Sequence, residues 1–146
     1  MKKLLLILTV IMVLVSSCTE DKSNTELLTG TDWRITAWTV SPAILGITDW
    51  YANMEPCEKD DSFSFNSDGS ASIDEGASKC DPDDPQTETG TWSFNSDETL
   101  LTIIADGETQ SWEIIDLTNK VLKIKWVNTD PDDGTTYTFT ITFGAI

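Results

Sequence analysis

The chain contains no histidine and a single arginine, and its 9 basic residues face 25 acidic ones, for a formal net charge of −16 at neutral pH. The absence of histidine removes the usual general base for a serine or cysteine nucleophile, and no Gly-x-Ser-x-Gly sequence is present. A strongly acidic surface repels nucleic-acid phosphates. We therefore expect neither an enzyme nor a nucleic-acid-binding protein, and we expect no cofactor.

Carboxylates are the one catalytic group that the chain has in excess. A pair of carboxylates can hydrolyse glycosides, but nothing in their spacing selects such a pair. Residues 81–84 and 130–134 are acidic and rich in oxygen ligands, yet they lack the staggered carboxylates and distal glutamate of a calcium-binding EF-hand. Because proline, aspartate and glycine are also the usual residues of turns, we favour turns over metal sites.

Long apolar runs are scarce, and the one at residues 4–15 is too short to span a membrane, which needs roughly 20 apolar residues. The run follows a basic start and precedes small residues and Cys18. This layout resembles the signal of bacterial lipoproteins, which is cut before a cysteine that then carries acyl chains such as palmitate. We expect residues 1–17 to be a signal peptide and Cys18 to be the lipidation site. An uncleaved membrane anchor is the alternative.

The residues after Cys18 are polar and charged. They show no apolar period, so residues 18–26 are predicted to be a flexible tether. Glu20 and Asp21 resemble the acidic tags that send some lipoproteins to the outer cell surface. We expect a protein anchored by lipid to the outer membrane, on its periplasmic or its cell-surface face.

Two further cysteines, Cys57 and Cys80, belong to the mature chain. An even pair in an exported protein favours a disulfide, because the compartment is oxidising. A zinc site is the weaker reading, since no histidine is present to complete it.

Residues 27–146 are predicted to form one all-β domain. Alternating, β-branched and aromatic segments are separated by turns rich in Asp, Gly, Asn and Pro, a pattern typical of an antiparallel sandwich or barrel. We predict eight strands, at residues 31–40, 61–66, 70–75, 89–95, 99–105, 109–117, 120–128 and 135–143.

Residues 66–69 (Asn-Ser-Asp-Gly) predict a tight hairpin in which Gly69 takes the left-handed conformation. The resulting register pairs Phe65 with Ala71 and Phe63 with Ile73, so that apolar groups share one face. The same hairpin brings the two flanks with the cysteines together.

The long connection at residues 41–60 interrupts the series of hairpins. Ser41-Pro42 is a favourable helix start, and apolar residues from Ile44 to Met54 recur at helical spacing. We predict one or two short helices lying across a barrel mouth.

Several segments are similar to the lipocalin-like domains of Gram-negative bacterial lipoproteins. They are Leu28-Thr29-Gly30 with Trp33, residues 38–42, 57–61, 65–69, 76–80 and 90–92, and Tyr137-Thr138-Phe139. The resemblance implies an eight-stranded antiparallel up-and-down barrel with a short helical segment between strands 1 and 2. It departs from true lipocalins in two respects. Gly30 precedes Trp33 by three residues rather than two, and the last strand has no arginine to pack on that tryptophan.

A barrel of eight strands is filled by its own side chains or encloses one small ligand. Plain core packing is the favoured reading for the aromatic residues, and a ligand cavity is the alternative. The candidate ligand-binding residues are Trp33, Phe63, Phe65, Trp92, Tyr137 and Phe139.

Three further aromatic residues lie outside this set. Trp38 is predicted to face outward from the first strand, and Trp50 and Tyr51 lie in the long connection. They could cover the barrel or, if exposed, stack on sugar rings; covering is favoured.

The sequence as a whole predicts a lipid-anchored envelope protein whose barrel binds a small hydrophobic or amphipathic ligand, entering near residues 41–60. The alternative is a structural or interaction lipoprotein with a filled barrel, whose partner is a glycan or another envelope protein.

Overall fold

The computed structural model describes residues 22–146, so Cys18 and the apolar run before it lie outside the described residues. The elements are α1 (Asn24–Leu28), β1 (Trp33–Ile44), β2 (Ile47–Asp49), a 3-10 helix (Tyr51–Asn53), α2 (Pro56–Lys59), β3 (Ser62–Phe65), β4 (Ser70–Asp74), β5 (Thr87–Phe94), β6 (Leu100–Ala105), β7 (Glu108–Leu117), β8 (Val121–Thr129) and β9 (Thr136–Ala145). Between residues 22 and 146, no helix has the length and apolar character needed to cross a bilayer.

The strands close into a barrel. From β3 to β9 each strand pairs antiparallel with the next, and β1 pairs with β9 from Trp33 to Ser41 and with β3 at Phe63. Within residues 22–146, the short β2 pairs with β1 alone and is not one of the eight strands that close the barrel. The predicted eight-stranded antiparallel barrel is therefore confirmed.

The predicted β3–β4 hairpin has the expected register. Phe65 is opposite Ala71 and Phe63 is opposite Ile73. Gly69 has a φ of 86°, a conformation that a side chain would resist. Local turn chemistry and the two-residue strand period are sufficient to set this register.

One end of the barrel is closed by α1, and we call it the closed end. Leu28, the last residue of α1, and Trp33, the first of β1, are both fully buried. The Trp33 indole Nε1 donates a hydrogen bond to the Leu28 carbonyl at 2.9 Å. This bond holds α1 in place at the closed end of the barrel.

The helix α1 begins inside the predicted tether. Ser23 and Glu26 form a capping box, in which each side chain accepts a hydrogen bond from the other residue's backbone N–H. Gly30 then allows a close turn, because a Cβ there would lie 2.8 Å from the Glu26 carbonyl oxygen. Helical structure therefore begins at Asn24, within the last three residues of the predicted flexible tether.

Residues 41–60 lie at the opposite end, which we call the mouth. The predicted helix start at Ser41-Pro42 is wrong, because β1 continues to Ile44 and turns into β2 through two residues with positive φ, Leu45 and Gly46. Pairing of Ser41 with Thr138 favours the strand, and Pro42 follows the last β9 pair, where its missing N–H costs nothing. Short helical pieces between the first two barrel strands are present, but they begin only at Tyr51.

The predicted disulfide is present. Cys57 lies in α2 and Cys80 in the connection between β4 and β5, with their Cα atoms 5.3 Å apart. The bond ties the two flanks of the β3–β4 hairpin together at the mouth.

Candidate functional site

A cavity of about 330 Å³ lies in the barrel lumen. Its lining residues are Ile35, Trp38, Phe63, Phe65, Ala71, Ser72, Ile73, Glu88, Thr89, Gly90, Ile103, Ala105, Glu108, Gln110, Trp112, Trp126, Ile141 and Phe143. The volume is within the range of small-molecule sites, about 300–1,000 Å³. The barrel is therefore not filled by its own side chains.

The void exists because small residues occupy inward positions on three neighbouring strands. Ala71 on β4 is directly opposite Gly90 on β5, and Ala105 ends β6. Gly90 cannot be replaced by a larger residue without a shift, because a Cβ there would lie 2.5 Å from the Ile104 carbonyl oxygen. These three positions leave unfilled space opposite the aromatic side of the lumen.

Trp38 lies in the cavity wall, so the prediction that it faces outward is wrong. The reason is a β-bulge at Thr36. Ile35 is opposite Phe143, whereas Ala37 is opposite Thr142, so one residue of β1 has no partner on β9. The extra residue reverses the alternation, which turns Trp38 inward.

An aromatic cluster covers the lumen on the side formed by β1, β8 and β9. Trp126 and Phe139 are cross-strand partners whose rings stack at 4.9 Å with an interplanar angle of 7°. Trp50 packs edge-on against Phe139 at 6.0 Å and lies 5.4 Å from Trp38 at a tilt of 41°. Trp38 and Trp50 are half-buried and tilted, which is the geometry of packing rather than of a coplanar platform for sugars.

The six predicted ligand-binding residues have different positions. Phe63 and Phe65 line the cavity. Trp33 and Trp92 are buried in the core at the closed end, and the Trp92 Nε1 donates to the Asn66 carbonyl at 2.9 Å. Phe139 is buried in the aromatic cluster, where it packs against Trp126 and Trp50. Tyr137 is half-buried on β9, and neither it nor Phe139 is among the lining residues of the described chain.

The cavity mouth has polar residues that the strand predictions missed. Glu88 and Glu108 each come one residue before the predicted start of their strand. In the structure, β5 begins at Thr87 and β7 begins at Glu108. On β5, Glu88 shares the inward face with Gly90 by the two-residue period. Together with Gln110 these side chains line the opening.

The polar lining residues of the cavity come from β4, β5 and β7. Within the described part of the chain, residues 41–60 contribute no lining residue, so the cavity wall does not support the predicted entrance near that segment. The segment instead supplies Trp50 to the aromatic cluster, and the Trp50 backbone N–H donates to the Trp38 carbonyl at 2.8 Å.

The two acidic loops form turns. The Asp81 carboxylate accepts from the Asp83 backbone N–H at 2.9 Å, and Asp130 accepts from Asp132 in the same way at 2.8 Å. No group of three or more potential ligands in residues 22–146 has the spacing of a metal site. The turns predicted at these two loops are therefore present.

Two neighbouring carboxyls before β3 have opposite environments. Asp60 accepts hydrogen bonds from the Ser78 hydroxyl and from the backbone N–H groups of Ser78 and Ala77, which lowers its pKa. Burial, with repulsion from acidic neighbours led by Glu75, raises the pKa of Asp61 to about 6. The Asp61 Oδ1 is buried without a hydrogen-bond partner in the described structure.

The closed antiparallel strands define an up-and-down β-barrel with an internal cavity. The model of the lipocalin-like domain matches residues 28–124. The chain therefore belongs to the lipocalin-like domain family.

A solved bacterial structure has the same fold. A lipocalin-like protein from Bacteroides uniformis aligns with a TM-score of 0.53 at 13% identity, over 82% of this chain and 99% of that one. Odorant-binding protein from bovine nasal mucosa aligns with a TM-score of 0.47 at 16% identity, over 87% of this chain and 76% of that one. No curated protein sequence matches the chain.

Proposed function

We propose that this protein binds one small hydrophobic or amphipathic molecule in its barrel lumen and is not an enzyme. The cavity of about 330 Å³ is the observation that carries the proposal. A filled lumen would have favoured a structural role instead.

The composition of the wall supports an apolar ligand body. Ile73 and Ile103 line the cavity from β4 and β6, and three tryptophans line it from β1, β7 and β8: Trp38, Trp112 and Trp126. Such a wall favours an apolar guest, because transfer of apolar surface out of water yields about 25 cal/mol per Å². The polar groups lie at the opening, where a ligand head group would remain in water.

A fluorescent apolar probe, N-phenyl-1-naphthylamine, tests the proposal. The probe is expected to bind one per protein with increased emission, and to quench tryptophan fluorescence from the cavity wall. Ile103→Trp places a large side chain in the lumen and should abolish binding.

Ile104→Trp is the matched control, because Ile104 neighbours Ile103 on β6 but is 47% exposed on the outer face. It should bind the probe like the unchanged protein. Equal binding by both variants, or no binding by the unchanged protein, would refute a site in the lumen.

We further propose that Cys18 carries the lipid that anchors the protein to the outer membrane. The described chain begins beside α1 at the closed end, where the Asn24 side chain reaches the Glu98 carbonyl. At most about 14 Å of extended chain separates Cys18 from Lys22. An anchor at Cys18 would therefore hold the closed end near the bilayer, with the mouth directed away from it.

Replacement of Cys18 by serine tests the anchor. The variant should keep the fold and probe binding but leave the membrane fraction and lose labelling by radioactive palmitate. A Cys18→Ser protein that stays with the membrane would contradict the anchor without touching the lumen proposal.

A further inference from the structure

We infer that the lumen selects its ligand by charge, accepting apolar molecules with a cationic or neutral head and rejecting carboxylates such as fatty acids. The inference rests on the proposed function, because it concerns the head group of a guest in the same cavity. The observations that carry it are the charges at the opening and on the loops around it.

Among the described residues, the charged side chains that line the cavity are both acidic. Glu88 and Glu108 reach the opening from β5 and β7 and are both exposed. No lysine or arginine of residues 22–146 is among the lining residues, and neither glutamate forms a salt bridge within that range. A bound anion would therefore face two like charges and no counter-ion.

The loops around the mouth add further negative charge to that of Glu88 and Glu108. Residues 75–86 contain four acidic residues and one lysine, residues 106–107 contain one acidic residue, and residues 130–135 contain three and no basic residue. The lysine, Lys79, donates hydrogen bonds to the carbonyls of Pro82 and Asp84. The nearby Lys59 lies over the Tyr51 ring, 5.0 Å from its centroid. Both cations are thus engaged away from the lumen.

The field and the wall act on different parts of the ligand. The apolar wall binds the hydrocarbon part of a ligand irrespective of its head group. The two carboxylates favour a cationic or neutral head group over an anionic one at the opening. A cleft lined by charge of one sign raises the local concentration of opposite charge, and the effect weakens as salt screens it. Glu88 and Glu108 are therefore specificity-determining residues of the lumen.

The test uses three competitors that share the same ten-carbon chain and differ in their head group. Protein loaded with N-phenyl-1-naphthylamine is titrated at pH 7.5 and low salt with decylammonium, decanol and decanoate. Decanoate should need a concentration about tenfold higher than decylammonium for half displacement, with decanol between them. High salt should narrow the difference.

The double variant Glu88→Gln/Glu108→Gln should bring decanoate and decylammonium to within about threefold of each other, because the local charges are gone. The control Glu113→Gln/Asp116→Asn removes two charges from β7 outside the lining and should leave the tenfold difference.

Each possible result supports or overturns charge selection, the lumen site or both. Equal displacement by all three heads, or a preference that survives in the glutamate variant, overturns charge selection while probe binding upholds the lumen site. Failure of the probe to bind overturns both proposals.

Discussion

Trp33 and Leu28 are joined by a fully buried hydrogen bond, 2.9 Å from the indole Nε1 to the carbonyl oxygen. The bond satisfies a carbonyl near the end of α1 that has no partner within so short a helix. It also fixes α1 beneath the lumen. The closed end of the barrel depends on this pair.

Trp33→Phe is expected to destabilise the fold by about 2–3 kcal/mol, because it leaves the Leu28 carbonyl buried without a donor and opens a void. Chemical denaturation measures this loss. Trp112→Phe is the comparison, since Trp112 is half-buried in the cavity wall, and it should cost less than about 1 kcal/mol. Equal losses in the two variants would contradict a special role for Trp33.

Asp61 gives the stability a distinct pH dependence. Because burial raises its pKa in the folded state to about 6, the folded protein binds its proton more tightly than the unfolded chain. Stability from this group is present below about pH 4 and is lost as the pH rises to about 6. Asp61→Asn should therefore raise the melting temperature at pH 8, by the equivalent of about 1 kcal/mol after screening by solvent, and have little effect at pH 4.

Asp60→Asn serves as the control for this prediction. Its carboxylate accepts hydrogen bonds that lower its pKa, so the contribution of Asp60 is present at neutral pH and lost in acid. The variant should lower the melting temperature at pH 8, the opposite sign to Asp61→Asn. Shifts of the same sign at the two positions would show that their environments are misassigned.

The disulfide stabilises the mouth chiefly through the unfolded chain. The Cys57–Cys80 bond closes a loop with a sequence separation of 23, which is worth about 3 kcal/mol. Cys57→Ser should lower the melting temperature by a corresponding amount, and reductant should do the same to the unchanged protein. Probe binding at low temperature should persist, because neither cysteine lines the cavity. An unchanged melting temperature would argue against the cross-link.

Local signals were enough to predict much of the barrel. The inward alternation on β9, with Phe139, Ile141 and Phe143 buried, follows from the two-residue strand period. The Phe65–Ala71 register follows from the turn that ends at Gly69. In each case residues close in the sequence determine the geometry.

Other features depend on contacts between distant segments. The bulge at Thr36 that turns Trp38 inward is set by pairing with β9, more than 100 residues away in the chain. Ser41-Pro42 has the local chemistry of a helix start, yet pairing with Thr138 holds Ser41 in a strand. Neither outcome can be read from the local pattern.

The cavity does have a signal in the sequence. Ala71, Gly90 and Ala105 are small residues at inward positions on consecutive strands, and their coincidence at one level of the barrel leaves the space. Recognising that coincidence requires the register of three strands. The glutamates at the opening were missed for a simpler reason, because β5 and β7 begin one or two residues earlier than predicted.

Methyl NMR of the isoleucines, recorded with and without N-phenyl-1-naphthylamine, tests the central claim most directly. Ile73 and Ile103 line the cavity, whereas Ile104 and Ile115 are exposed on the outside of the barrel. A guest in the lumen should shift the δ1 methyl signals of the first pair through the ring currents of the probe and leave the second pair unmoved. Shifts confined to Ile104 and Ile115 would place the probe on the outer surface and contradict a ligand-binding lumen.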